Sequence, residues 1–212
     1  MSSSAPLSNR VERILAATPV HDINTHLYDP AFSSLLSWGI DEQLVYHYLV
    51  SESFRQMDVP FDRFWSASKT EQADFIWNAL FVEHSPVSEA CRGVLTTLHA
   101  LGIEPRKHDL ASLRKWFAAW KPADFVERVL SLANVASIGM TNSPFDDEER
   151  AYWSANLPRD ARFRGALRID PLILGWTAAA PRLRAWGYAV GNALNQATAD
   201  EVRRFLAAYT RK

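Results

Sequence analysis

Apolar residues recur every three or four positions along most of the chain, which is the spacing of amphipathic helices. Capping and breaking residues divide this pattern into separate helices. The predicted helices cover 40–58 and 70–83, run from Ser85-Pro86 to Gly102, begin after Asp109 and at Pro122, and follow a capping box at Thr198–Glu201. Helical structure is therefore expected to dominate the fold.

Three short segments have a different pattern and are compatible with β-strands. They cover 18–24, 135–141 and 164–170, and each is followed by a turn or by the start of a helix. Strands that alternate with helices predict βα units and a parallel sheet. Because ~110 mostly helical residues separate the first two strands, too many for a plain crossover, we interpret this stretch as an inserted helical region.

The composition is that of a folded globular protein without a charge bias. Of 212 residues, 48% are hydrophobic and 22% charged, and 23 basic residues against 24 acidic ones leave a net charge of -1. This balance argues against disorder and against binding to nucleic acid or membranes through bulk charge. Cys91 is the only cysteine, which excludes a disulfide framework and a cysteine-based zinc finger. No membrane-spanning run or signal peptide is apparent, so we expect a cytoplasmic protein.

Polar side chains of the types used in catalysis lie at the ends of the three predicted strands. In parallel βα folds the chemistry collects at the carboxyl ends of the strands. The residues are Asn24, Thr25 and His26 at the first strand, Thr141 and Asn142 at the second, and Arg168 and Asp170 at the third. If the first strand extends to His26, then Asp22, Asn24 and His26 share one face. Asn24 and His26 could there reach one metal ion, for which imidazole is the better donor.

Each of these residues also has a structural interpretation. A single histidine near a strand end is commonly a hydrogen-bonded structural residue, and His47 could be half exposed on a helix in which Tyr48 packs. Arg168, in an otherwise apolar strand, needs an anion. That anion is either a ligand carboxylate bound in bidentate fashion or a protein carboxylate such as Asp170. The residues alone leave both interpretations open.

Taken in order, these residues resemble the uronate isomerase (glucuronate isomerase) family of the amidohydrolase superfamily. That family begins its barrel with a His-x-His metal motif, which here reads Asp22-Ile-Asn24-Thr-His26-Leu27, with asparagine in place of the first histidine. A His-Tyr pair follows in the next helical segment, as His47-Tyr48. A T-x-x-P-x-D stretch corresponds to 141–146 and an R-x-D stretch to 168–170. The resemblance extends over roughly residues 20 to 176.

The resemblance implies a fold and a set of residue roles. The fold is a helix-rich α/β, metal-dependent-hydrolase-like (β/α) TIM barrel with a large helical insertion at about 38–133. Because a complete barrel takes ~250 residues, residues 1–212 are expected to form only its N-terminal part, as a fragment. His26 would be a metal ligand, with Asn24 at the place of another. His47 and Tyr48 would polarise the substrate or relay its protons, and Arg168, together with Tyr48, would bind the substrate.

The activity that the resemblance implies is the interconversion of aldose and ketose hexuronates, such as glucuronate and fructuronate, in carbohydrate metabolism by metal-assisted proton transfer. The expected cofactor is a divalent metal, zinc first, weakened by Asn24. The expected partner is a small sugar acid, without nucleic acid or membrane, and a homo-oligomer stays open. Two alternatives remain: a non-catalytic or truncated half-barrel that needs its missing C-terminal half or a partner, and another amidohydrolase-type metal hydrolase.

Overall fold

The computed structural model describes residues 6–25, 27–155 and 157–211, except for the side chains at positions 24 and 33. The chain forms two compact units. The sheet unit comprises the residues up to Leu36 and those from Asn134 onward, and the helical unit is Ser37–Ala133. Each unit has its own hydrophobic core.

Helices and a small parallel sheet make up the two units, as the sequence predicts. The helices, in chain order, are α1 (Leu7–Ala17), α2 (Ile40–Leu44), α3 (His47–Ser53), α4 (Phe61–Ser66), α5 (Lys69–Trp77), α6 (Glu89–Ala100), α7 (Leu110–Ala118), α8 (Pro122–Leu132), α9 (Asp147–Ser154), α10 (Asp170–Leu174), α11 (Trp176–Ala185) and α12 (Gln196–Tyr209). A π-helix, Asn78–Val82, continues α5, and short 3-10 helices cover Pro30–Leu35 and Pro105–Lys107. The strands are β1 (Val20–Thr25), β2 (Val135–Asn142) and β3 (Phe163–Leu167).

The three strands pair in the order β1-β2-β3, and both pairs are parallel. β2 and β3 pair in continuous register from Ile138 opposite Phe163 to Asn142 opposite Leu167. Between β1 and β2 the register shifts, because Asp22 lies opposite Ile138 whereas Thr25, three residues on, lies opposite Met140. Such a bulge interrupts the alternation of side chains. The prediction that Asp22, Asn24 and His26 share one face assumes regular alternation along the strand, which this bulge interrupts. His26 itself lies outside the described residues.

The third strand is shorter than predicted. It ends at Leu167, so Arg168 lies just beyond the strand and Asp170 is the first residue of α10. The Arg168 backbone N–H still donates to the Asn142 carbonyl at 2.7 Å, which extends the β2–β3 ladder by one bond. The prediction that Arg168 sits inside an apolar strand was wrong, because Pro171 supplies the first turn of a helix there.

Three predicted helix boundaries are confirmed. Asp109 caps α7, since its Oδ1 accepts from the Ser112 backbone N–H at 2.8 Å. Pro122 is the first residue of α8. Gly102 follows α6 with φ +84°, the left-handed conformation that glycine adopts without strain at a helix end. These boundaries depend on one or two adjacent residues, which is why the sequence reveals them.

Other boundaries were predicted wrongly. The cap of α6 is Ser88, whose Oγ accepts from the Cys91 N–H, rather than Ser85. The cap of α12 is Asn195, whose Oδ1 accepts from the Thr198 N–H at 2.9 Å. Thr198 is instead a buried helical residue, and its Oγ1 accepts from the Gly191 N–H at 3.0 Å. The predicted helix over 40–58 is two helices, separated at residues 45 and 46.

A partly exposed guanidinium group joins three helices of the helical unit. Arg114 on α7 donates through Nε to Asp41 on α2 and through Nη1 to Asp74 on α5, each at 2.8 Å, and through Nη2 to the Thr70 carbonyl at 2.9 Å. The apolar core of this unit packs around buried residues such as Phe64, Ile76 and Leu113. The helical unit is thus held by packing together with one multidentate arginine.

The first helix lies at the surface of the sheet unit without buried residues. Its end is held by Asn134, which adopts φ 50° and whose Nδ2 donates to the Thr18 carbonyl at 2.9 Å. Among the helices of the described chain, none combines the length and apolar character that crossing a membrane requires.

Candidate functional site

A buried carboxylate lies where β1 and β2 end. Glu149, in the first turn of α9, is 8% exposed. Its Oε1 accepts from the Tyr28 hydroxyl at 2.6 Å, and its Oε2 accepts from the Ser143 backbone N–H at 2.8 Å and from Asn142 Nδ2 at 3.3 Å. Asn142 is the last residue of β2, and Tyr28 follows β1 by three residues. The carboxylate therefore joins the chain segments that leave the two neighbouring strands.

The Tyr28 hydroxyl is held in its neutral form by this environment. Burial raises the pKa of Tyr28 well above its ordinary value, and the hydrogen bond to Glu149 raises this pKa further. The charges of Glu149 and Asp146 act in the same direction, whereas Arg168 lowers the pKa of Tyr28. The positive charge of Arg168 is therefore close enough to the Tyr28 hydroxyl to influence its pKa.

The segment after β1 is anchored on both sides of position 26. Before it, the Thr25 carbonyl accepts from the Thr141 hydroxyl at 3.4 Å, and Thr25 Oγ1 accepts from the Leu27 N–H at 3.2 Å. After it, Asp29 is 2% exposed and its Oδ2 accepts from the Asp160 N–H at 2.7 Å. The residues on either side of position 26 are thus held by hydrogen bonds, and His26 itself lies outside the described residues.

Arg168 is at the surface, next to the carboxyl end of β3. Its side chain is 55% exposed, and its Nε lies 3.3 Å from Asp170 Oδ2 in an equally exposed ion pair. Asp170 is therefore one partner of Arg168, as the sequence allowed. An exposed ion pair of this kind contributes little to stability, and the Arg168 side chain is open to solvent beside it.

His47 and Tyr48 begin α3 in the helical unit and are exposed together with Tyr46. The ring centroids are 4.2 Å apart for His47 and Tyr48, and 4.3 Å apart for Tyr46 and His47. Tyr48 is 63% exposed, which contradicts the interpretation that it packs in the core. Tyr46 was not singled out from the sequence, although three consecutive ring side chains are a visible signal.

The side chains of the two predicted metal ligands, Asn24 and His26, are not among those that the structure describes. Asn24 is in β1, but only its backbone is described, and His26 is not described. Within the described chain, His, Cys, Asp and Glu side chains form no group of three that could hold a metal ion. Neither residue is therefore tested as a ligand, and the metal site stays a prediction.

Tyr28 and Glu149 were not predicted from the sequence as members of this cluster. From the sequence alone, the acidic residues Asp146 to Glu149 are first-turn charges that complement a helix dipole. This is correct for Asp146, which caps α9 by accepting from the Glu149 N–H at 2.9 Å. It is insufficient for Glu149, whose side chain turns inward. One sequence signal pointed to a special role for Glu149: it lies three residues after the cap residue Asp146, the position of the glutamate in a capping box.

The fold and these polar residues define a helix-rich α/β protein with a small parallel sheet. No protein-family model matches the chain, and no curated protein does. Among solved structures, the chain is similar to the crystal structure of a uronate isomerase from Bacillus halodurans, with a TM-score of 0.93 and 47% sequence identity. The match covers 97% of this chain and 49% of that one. The resemblance to uronate isomerases is thus confirmed, and the chain spans about half the length of this relative.

Replacing Tyr28 by phenylalanine is expected to flatten the loss of stability at alkaline pH. Because the pKa of Tyr28 is raised in the folded state, its contribution is complete below the ordinary tyrosine value of about 10 and is lost as the pH rises through the folded value. Urea unfolding at a series of alkaline pH values measures this slope. Tyr46→Phe, at an exposed ring, is the matched control, and equal slopes for wild type and Tyr28→Phe would contradict the prediction.

Proposed function

We propose that this chain carries part of the active site of a hexuronate aldose–ketose isomerase of the glucuronate/fructuronate type. The observation that supports this most is the match to a uronate isomerase at 47% identity over 97% of the chain. The parallel sheet with polar residues at its carboxyl ends is consistent with part of a (β/α) barrel. Because the match covers only 49% of the relative's length, the isomerase activity is proposed for this chain and is not shown by the match.

The proposed reaction is an internal rearrangement of the sugar acid. The hydrogen on C2 leaves as a proton and is delivered to C1, while the C1 carbonyl oxygen gains a proton and the C2 hydroxyl loses one. His47 and Tyr48 are the groups proposed to polarise the two oxygens and relay their protons. Arg168 is proposed to hold the substrate carboxylate through its planar guanidinium, which fixes the orientation of the reacting carbons.

A divalent metal, zinc first, is proposed to bind at His26 with Asn24 beside it. Such an ion would polarise a carbonyl oxygen of the substrate. Asparagine oxygen is a weaker donor to zinc than imidazole. The sequence therefore supports a site of reduced affinity.

Replacing Asn24 by histidine is expected to increase the zinc retained per chain, because it restores a His-x-His pair. The chain is loaded with zinc, desalted, and analysed for metal content. Asn78→His, at an exposed position of the helical unit, controls for a histidine added elsewhere. Equal zinc content in Asn24→His and wild type would show that this motif is not a metal site.

The isomerase proposal is tested directly with the intact chain. Glucuronate and galacturonate are offered as substrates, ketose formation is followed, and binding of each uronate is measured by calorimetry, with glucose as the control that lacks a carboxylate. We expect ketose formation that depends on the carboxylate. Absence of both turnover and uronate binding would overturn the proposal.

A second candidate function is a non-catalytic half-barrel that requires a partner polypeptide. It is favoured by the 49% coverage of the relative and by Asn24 at a ligand position. Uronate binding without turnover in the assay above is the result that this alternative predicts.

A further inference from the structure

Glu149 carries a buried negative charge that the proposed reaction does not use. The residue is 8% exposed, and among the described residues its hydrogen-bond donors are all neutral: the Tyr28 hydroxyl, the Ser143 N–H and Asn142 Nδ2. A buried carboxylate without a paired cation costs more than an uncharged residue of the same shape. Departures from this rule are expected at functional sites, so the position of Glu149 indicates a role beyond packing.

The carboxylate is linked to Arg168 by a short hydrogen-bonded path. Oε2 of Glu149 fixes the end of β2, because it accepts from Asn142 Nδ2 and from the next backbone N–H, that of Ser143. The Asn142 carbonyl accepts from the Arg168 N–H at 2.7 Å, one residue beyond the end of β3. Asn142 is 1% exposed, so its position depends on these buried contacts. The backbone of Arg168 therefore follows the position in which Glu149 holds Asn142.

The side chain of Arg168 extends from this held backbone into solvent. It is 55% exposed, and its contact with Asp170 is an exposed ion pair. The positive charge of Arg168 also lowers the pKa of Tyr28, so the guanidinium lies near the buried network. A long side chain loses rotamer freedom when it binds a ligand, and a fixed backbone reduces the number of arrangements that must be lost.

We propose that Glu149 is a positioning residue for Arg168. By holding the end of β2, it keeps the Arg168 backbone where the planar guanidinium can meet a substrate carboxylate. The inference rests on the proposed function, in which Arg168 binds the carboxylate of the sugar acid. Glu149 itself is not proposed to touch the substrate, since both of its oxygens already accept hydrogen bonds within the protein.

The first test does not depend on a substrate. Hydrogen exchange of backbone amides is followed by NMR in the full chain. The Arg168 N–H is compared with the Ile138 N–H, which donates to the Arg162 carbonyl at the other end of the same strand pair. In Glu149→Ala, the ratio of the Arg168 rate to the Ile138 rate is expected to rise about tenfold through local opening. Leu183→Ala, in the apolar core of the same unit, lowers stability as a whole and should leave the ratio unchanged.

The second test measures glucuronate affinity by calorimetry. We expect Glu149→Ala to weaken binding about five- to tenfold and Leu183→Ala to leave it unchanged. Because a positioning residue acts through its partner, Glu149→Ala should cause no further loss in a chain that already carries Arg168→Ala. Glu149→Gln keeps one acceptor and is expected to restore part of both the affinity and the exchange ratio. It also replaces Glu149→Ala if that variant does not fold.

An exchange ratio that Glu149→Ala leaves unchanged overturns the inference, because Arg168 is then held without this carboxylate. Equal glucuronate affinity of Glu149→Ala and wild type overturns it as well. So does a loss that adds in full to that of Arg168→Ala, since Glu149 would then act elsewhere. If the wild-type chain binds no glucuronate, the proposed function is overturned, whereas the exchange ratio still decides whether Glu149 holds Arg168 in place.

Discussion

Replacing Glu149 by alanine is expected to lower the free energy of unfolding by about 3 kcal/mol, because it leaves several buried donors without an acceptor. The Tyr28 hydroxyl, the Ser143 N–H and Asn142 Nδ2 all donate to this carboxylate. The loss of stability should affect both the segment after β1 and the end of β2. Urea unfolding, followed by tryptophan fluorescence and by circular dichroism, measures the change.

Two further variants distinguish the loss of the buried hydrogen bonds from the loss of a negative charge. Glu148→Ala removes a neighbouring carboxylate that is exposed and accepts from the Ser34 hydroxyl, so its expected cost is below about 1 kcal/mol. Glu149→Gln keeps an oxygen for Tyr28 but loses the second acceptor, so its cost should lie between those of the two alanine variants. Similar stability of Glu149→Ala and Glu148→Ala would show that the buried network contributes little.

Replacing Arg168 by alanine is expected to weaken uronate binding about 10- to 100-fold, since a charge-assisted hydrogen bond is worth roughly 1.5–3 kcal/mol. Arg168→Lys keeps the charge but not the planar fork, so a several-fold loss is expected. Calorimetry with glucuronate measures both affinities. The free energy of unfolding should change little, because the ion pair with Asp170 is exposed.

The control for this experiment is Arg203→Ala, which removes another exposed arginine that pairs with a nearby aspartate, on α12. It should leave uronate affinity unchanged. Asp170→Asn frees Arg168 from its protein partner and is expected to leave binding unchanged or to strengthen it. Unchanged affinity in Arg168→Ala would reject the carboxylate-binding role of this arginine.

The candidate site was predictable where a role follows from motif and order along the chain. Arg168, His47 and Tyr48 were identified in this way, and their roles stay proposals. The position of Arg168 beyond β3 was not predictable, since the strand ends where α10 begins with Asp170-Pro171. The exposure of Tyr48 was not predictable either, because helical periodicity shows which residues share a face but not which face is covered by other segments.

The sequence by itself determined some of the helix ends and the resemblance to the family. Asp109, Pro122 and Gly102 set helix ends through their own capping and backbone preferences, and the ordered motifs carried the resemblance to uronate isomerases. Only the tertiary structure decided which polar residues are buried together. Glu149 meets Tyr28 across more than a hundred residues of chain, and the bulge in β1 depends on its register with β2. Such contacts depend on how distant segments pack, and local propensity does not encode them.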